Sequence, residues 1–247
     1  MEKSLISVFK EAVKKLVNQP IIVLPMIAAL IFTILLSNLS LKLNYLIGNG
    51  SVFVNSAWLV IFTIVSIFII SYFFSGLISM CFSSLKSNAS INDFFSGTKK
   101  YWLKTFVIIA IIVVCYAIIN YSSIYGAIHL GKYFSLPLES AKFILYFIYF
   151  ALIIGALIFL TFSNFILISE NKSIVESVKK SASFVSNNYS YVLVIGAIFF
   201  IVDWAVSKLA NYSIGNFINL SEVISSLLVY PIFALVLTIF LQVFKEK

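Results

Sequence analysis

Six apolar runs, near residues 20–41, 57–82, 103–125, 141–168, 190–209 and 222–244, alternate along the chain with short polar stretches. Each approaches or exceeds the ~20 residues that a helix needs to cross the hydrocarbon core of a bilayer. Spanning strands would alternate apolar and polar positions, whereas "IIVLPMIAALIFTILL", residues 21–36, is apolar on every face. The pattern therefore predicts six transmembrane helices. Runs such as 57–82 exceed the minimum, which predicts tilt or extension into the headgroups.

The polar stretches have a pattern of their own. In "LISVFKEAVKKLV", residues 5–17, Leu5, Phe9, Ala12, Val13 and Leu16 share one helical face, and Lys10, Glu11, Lys14 and Lys15 take the other. In residues 173–190, Val175, Val178, Ala182 and Val185 oppose Glu176, Lys179 and Lys180. Each stretch reads as a short amphipathic helix lying at the membrane surface. Glu11 and Glu176 are 165 residues apart, and a related stretch, "SINDFFSGTKKYWLK", begins at Ser90, about halfway between. Its Ser90-Ile-Asn-Asp93 matches Ser173-Ile-Val-Glu176 as a Ser-x-x-acid helix start. A lysine pair follows in both, Lys99-Lys100 and Lys179-Lys180, at different distances. Three units of about 82 residues (1–85, 86–168 and 169–247) then fill a single membrane domain, 1–247. Each unit would be an amphipathic helix followed by two spans. Two crossings per unit leave all three facing the same way, as parallel repeats.

Composition narrows the class and charge sets the direction. Hydrophobic residues make up 62% of the chain and charged ones 11%, with a mean hydropathy of +1.08. Soluble domains have about 45–50% and about 25%, so the chain reads as an all-α polytopic membrane protein. The formal charge is +8, yet all 17 basic residues are lysine. Bidentate recognition of phosphate and bases favours arginine, and no nucleic-acid partner is expected. With the N-terminus inside, 13 lysines fall on the inner side and only four, Lys42, Lys132, Lys142 and Lys208, on the outer. That bias follows the positive-inside rule, so both termini are expected in the cytoplasm. The polar N-terminal stretch lacks the short apolar core and small-residue cleavage site of a signal peptide, so the first run is expected to stay in the mature protein. Cys81 and Cys115 sit in apolar runs without metal-ligand spacing and read as packing residues.

The Ser-x-x-acid start, "FFSGTKKYW" and "SVKKSASFVSNNY" resemble the cytoplasmic signatures of poorly characterised six-span prokaryotic membrane proteins. Those are related to the membrane domain attached to some glycerophosphodiester phosphodiesterases. The resemblance covers most of the chain through short, degenerate motifs. It implies a membrane domain without assigned catalytic residues, and these 247 residues include no soluble segment long enough for the hydrolase domain.

Few residues suggest chemistry. Asp203 is the only acid well inside a predicted span, where a charge costs at least ~2.5–3.5 kcal/mol and defaults to a functional reading. Its alternative is positional, near the outer headgroups beside Trp204 and Lys208. Asn120, Asn164, Ser75 and Ser79 are expected to hydrogen-bond between helices, at about 0.6 kcal/mol each. Gly76, Gly155 and Pro231 interrupt the second span of each unit; this marks either a central site or ordinary membrane-helix composition. The lysines Lys14, Lys15, Lys99, Lys100, Lys179 and Lys180 either bind anionic headgroups, at ~1 kcal/mol each near the surface, or only set topology. His129 stands alone in an outer loop. Sequons such as Asn49-Gly-Ser51 and Asn211-Tyr-Ser213 reflect an Asn- and Ser-rich composition.

No catalytic, metal or cofactor constellation is visible. The expected function is binding without catalysis, as an accessory or scaffold subunit of a membrane complex or as a protein in contact with membrane lipids, anionic ones included. A small-solute or ion transporter with a pathway near Asp203 is the alternative. The arginine-free, Lys- and Asn-rich composition points to an A+T-rich prokaryotic genome and to the cytoplasmic membrane.

Overall fold

The computed structural model describes residues 4–47, 52–134, 158–208, 213–214 and 218–244, with 137, 140 and 144 as isolated positions. Helix α1 (Leu5–Asn18) leads through a 3-10 turn, Pro20–Val23, into α2 (Leu24–Ile47). Then come α3 (Val52–Lys86), α4 (Ile91–Phe134), α5 (Ile158–Glu170), α6 (Ile174–Asn187) and α7 (Tyr189–Ser207). A two-residue antiparallel pair, Ser213–Ile214 with Ile218–Asn219, precedes α8 (Leu220–Ile224), a π turn (Ser225–Val229) and α9 (Tyr230–Phe244).

The protein is helical and apolar, and four helices among the described residues are long enough to cross a membrane: Val60–Lys86, Ile91–Ile118, Tyr189–Ser207 and Leu220–Phe244. Leu5–Asn18 and Pro20–Leu36 form a fifth candidate, bent by 95°. Of the remaining predicted run, 141–168, the stretch 158–168 lies in the short apolar helix α5, and the stretch before it is outside the described residues apart from an isolated helical position at 144.

The helix starts follow from local chemistry. Ser4 caps α1, its hydroxyl accepting from the Ser7 amide. Ser173 and Glu176 form a reciprocal capping box on α6. Ser90 and Asp93 make the same exchange at the start of α4, with Asp93 Oδ2 accepting from the Ser90 amide at 2.8 Å. Both Ser-x-x-acid starts therefore behave as their spacing implies. The Ser173 amide and hydroxyl, with Lys172 nearby, hold the Glu176 carboxyl below its usual range.

The three capped helices end in different ways. Asn18-Gln19-Pro20 stops α1, because proline supplies no amide and pushes Gln19 out of helical geometry (φ −134, ψ 66). Asn188 separates α6 from α7. The middle unit has no breaker between Thr98 and Phe106, so its amphipathic start runs on as the first turns of the 44-residue α4. It is not the separate surface helix that the sequence pattern predicts. At 1.5 Å per residue α4 is roughly 66 Å long and must project well beyond a ~30 Å hydrocarbon core.

The core is built by α3, α5 and α9. Phe74 meets Phe165 at 6.1 Å between ring centroids, Phe162 meets Phe240 at 6.1 Å, and Cys81 touches the Thr238 hydroxyl. Leu77, Ile78, Phe165, Leu167, Leu235 and Phe240 are fully or almost fully buried there. By contrast α4 and α7 are mostly uncovered and present residues such as Val114, Ile118, Phe200 and Ile201 outward. Bare apolar helix faces of this kind are suited to hydrocarbon.

The capped helices sit between the core helices. The start of α4 packs on α3: a Cβ at Gly76 would lie 2.2 Å from the Phe94 ring, and one at Gly97 would lie 2.2 Å from Ser79 Cβ. Helix α6 packs on α5 through the Ser181 hydroxyl, which donates to the Phe159 carbonyl, and through Phe162–Phe184. Helix α1 packs on α9 and touches α7 through Phe9–Phe199. In each, the fourth and eighth residues after the cap are buried: Val8 and Ala12, Phe94 and Thr98, Ser177 and Ser181.

The inner face of α6 differs from the expected one. Its buried stripe is Ser177, Ser181 and Val185, whereas Val175 is 64% exposed and Ala182 also faces outward. Serine fits against a backbone because it is small and can hydrogen-bond to a carbonyl; valine can do neither. The α1 expectation fares better, with Ala12 and Leu16 buried, but Val8 replaces Val13 on the inner face.

Candidate functional site at the capped end of the bundle

The last turn of α1, the capped starts of α4 and α6, and the C-terminal ends of α3, α5 and α9 meet at one end of the bundle. Lys15 Nζ donates to the Ser84 carbonyl at 2.6 Å, and Gln19 accepts from the Ala89 amide at 2.9 Å. Helix α5 ends with Asn171 in the left-handed region (φ 54), and the Lys172 amide reaches back to Leu167. This is a Schellman-type stop, with asparagine in the place that usually favours glycine. Tyr101 donates to Asn171 Oδ1 at 3.2 Å, and Lys104 Nζ to the Lys172 carbonyl at 3.3 Å. Lysine and tyrosine from the capped helices thus satisfy carbonyls and side chains left over where core helices end.

Two clefts open here, the first of them mostly polar, and Leu241 lines both. The first, about 250 Å³, is bounded by Ser79, Phe82, Ser83, Lys86, Tyr101, Ile168, Ser169, Leu241 and Gln242. The second, about 470 Å³, is bounded by Ile166, Glu170, Lys180, Ser183, Phe184, Asn187, Asn188, Tyr191, Leu241 and Phe244. Their electrostatics differ. In the second cleft Lys180 pairs with Glu170 at 2.6 Å, so its charges balance. Lys86 in the first has no hydrogen-bond or ion-pair partner among the described residues. Asp93, to which the cleft residue Ser83 hydrogen-bonds, already accepts from the Ser90 amide and hydroxyl through Oδ2.

The lysines singled out by sequence divide accordingly. Lys14, Lys99, Lys100 and Lys179 are exposed, with Lys100 Nζ 5.1 Å from the Tyr101 ring centre. Lys15 and Lys180 are committed to protein oxygens. Asp203 is exposed near the far end of α7, and Lys208 lies over the Trp204 ring at 4.9 Å with no ion pair to Asp203 among the described residues. Tyr230 of α9 lies within reach of the Asp203 charge.

The helix-interruption candidates also separate. Helix α3 continues unbroken through Gly76, whose missing Cβ admits Phe94 and Thr98 of α4. Pro231 does disturb its helix: the π turn Ser225–Val229 directly precedes it, where the missing proline amide leaves the ladder short of a donor. Gly155 lies outside the described residues. Ser75 bonds to the Tyr72 carbonyl of its own helix instead of a neighbour, while Asn164 is buried with its Oδ1 unpaired. The Asn120 side chain lies outside the described residues.

Sequence reasoning did not single out Lys86, Tyr101, Glu170, Asn171 or Gln242 as a group. Asn171 alone carries a readable signal, an asparagine just past the end of an apolar run. Comparison of the chain with known protein families, curated proteins and solved structures finds no match.

Proposed function

We propose that this chain is a non-catalytic integral membrane protein that acts by binding, with anionic lipid contacting its capped end. The observation that carries the reading is the concentration of lysine there. Among the described residues, Lys10, Lys14, Lys15, Lys86, Lys99, Lys100, Lys104, Lys172, Lys179 and Lys180 all belong to this end, against Lys42, Lys132 and Lys208 near the other. Such an excess is the positive-inside signature, so this end faces the cytoplasm of a prokaryotic cell with both termini on that side.

The same reading takes the architecture as six spans in three parallel repeats. Supporting it are serine caps at Ser4, Ser90 and Ser173, burial at the same two positions after each cap, and packing of each capped helix on a different core helix. The resemblance to the membrane domain of glycerophosphodiester phosphodiesterases belongs with this proposal.

Native mass spectrometry of the protein, extracted gently from its own membrane, tests the function. The expected species is the chain with retained anionic phospholipid. A stoichiometric protein partner without retained lipid would instead make it an accessory subunit.

A further inference from the structure

The first cleft combines features that the second lacks. Its cation, Lys86, stands at the last residue of α3 with no partner among the described residues, and Ser79 and Gln242 likewise make no hydrogen bond to described residues. Tyr101 and Ser169 donate to Asn171 and to the Ile166 carbonyl, leaving their own oxygens able to accept. Ser83 turns toward Asp93. A cluster of hydroxyls and an amide around one lysine is chemistry for a phosphate oxygen set.

We infer that this cleft is a specific site for the phosphodiester headgroup of an anionic phospholipid, with Lys86 as the charge-bearing contact and Ser79 and Gln242 as neutral ones. The inference rests on the lipid-contacting reading and adds to it a place and a ligand. At about 250 Å³ the cleft is smaller than the ~300–1,000 Å³ of pockets that enclose whole small molecules, which suits a headgroup whose acyl chains stay outside. Phe82, Ile168 and Leu241 supply apolar wall on the core side. The site lies where α3, α5 and α9 all end, the depth at which spans leave hydrocarbon and headgroups begin. The balanced second cleft offers an anion no equivalent attraction.

The test uses the full chain in nanodiscs of mixed phosphatidylglycerol and phosphatidylcholine, released for native mass spectrometry. Wild type is expected to retain one phosphatidylglycerol, and Lys86→Gln to retain it about tenfold less, the loss of one charge-assisted contact. Lys86→Arg should restore retention, and Lys208→Gln, near the other end of the bundle, should change it little. Equal retention in wild type and Lys86→Gln would overturn the site. Inorganic phosphate, titrated into the detergent-solubilised protein and followed by phosphorus NMR line broadening, forms the second arm. Lys86-dependent broadening without phosphatidylglycerol retention would assign the cleft to a soluble phosphate and overturn the lipid. A stoichiometric protein partner without retained lipid in the native membrane would defeat the proposed function but leave the nanodisc result standing.

Discussion

Gly97→Val is expected to destabilise the fold by at least about 3 kcal/mol, the upper end of overpacking costs. The first added carbon would lie 2.2 Å from both Cβ and Oγ of Ser79, with the Ser75 carbonyl at 3.6 Å. Ser79 Cβ is fixed to the α3 backbone and cannot swing aside, so the two helices must part. Parting them also exposes the neighbouring contact in which Phe94 and Thr98 fill the space over Gly76. Gly196→Ala is the control. Its Cβ meets only Ile158 Cδ1, at 3.9 Å, an ordinary contact, and alanine is the better helix former. Thermal melting in detergent should therefore show a large drop for Gly97→Val and none for Gly196→Ala. An unchanged midpoint for Gly97→Val would mean that α3 and α4 do not approach this closely.

The second large effect is expected at Phe240. Its ring is fully buried and lies 6.1 Å from Phe162 of α5, 5.5 Å from Phe184 of α6, 6.5 Å from Tyr191 of α7 and 4.6 Å from Phe244. It is where three elements meet α9. Phe240→Ala should cost about 3–5 kcal/mol, because the cavity cannot close without moving all three. In a membrane the loss is one of packing, since lipid offers no hydrophobic drive to reassemble helices. Phe200→Ala, on the exposed side of α7, should cost much less. A Phe240→Ala loss below about 1 kcal/mol would contradict the convergence of these helices on α9.

Much of this architecture can be read from local chemistry, and the reasons for its limits are physical. Apolar runs give helices because an unbroken apolar stretch has only one way to satisfy its backbone in lipid. The Ser90–Asp93 and Ser173–Glu176 caps are legible because a capping box depends on three-residue spacing alone. The phase of α6 is not legible in the same way. Counting apolar residues favours Val175 and Ala182, whereas the tight approach to the Phe159 carbonyl selects Ser177 and Ser181. Membrane helices prefer small residues at such contacts, so hydrophobicity is a poor guide to their inner face.

Charge is an equally poor guide to the register between α1 and α6. Matching Glu11 with Glu176 aligns charges, whereas the caps align Ser4 with Ser173, about one helical turn away, and leave Glu11 opposite Lys180. Asp203 stands out in the sequence as a charge within an apolar run, and it is uncovered near the end of α7. The cleft is a different case. Lys86, Tyr101, Ser169 and Gln242 come from separate parts of the chain and share no motif, so only their assembly at the capped end brings them together.

The measurement that bears most directly on the central claim is the sidedness of the capped end. In a chain carrying Cys81→Ala and Cys115→Ala, single cysteines would be placed at Asn92 and Ser183 on the capped end and at Lys132 and Ser207 on the other. Intact cells would then be treated with a membrane-impermeant thiol reagent. Labelling of Lys132→Cys and Ser207→Cys, with Asn92→Cys and Ser183→Cys reacting only after the cells are opened, is the predicted result. Labelling of Asn92→Cys or Ser183→Cys from outside would place the lysine-rich end away from the anionic cytoplasmic leaflet and contradict the account.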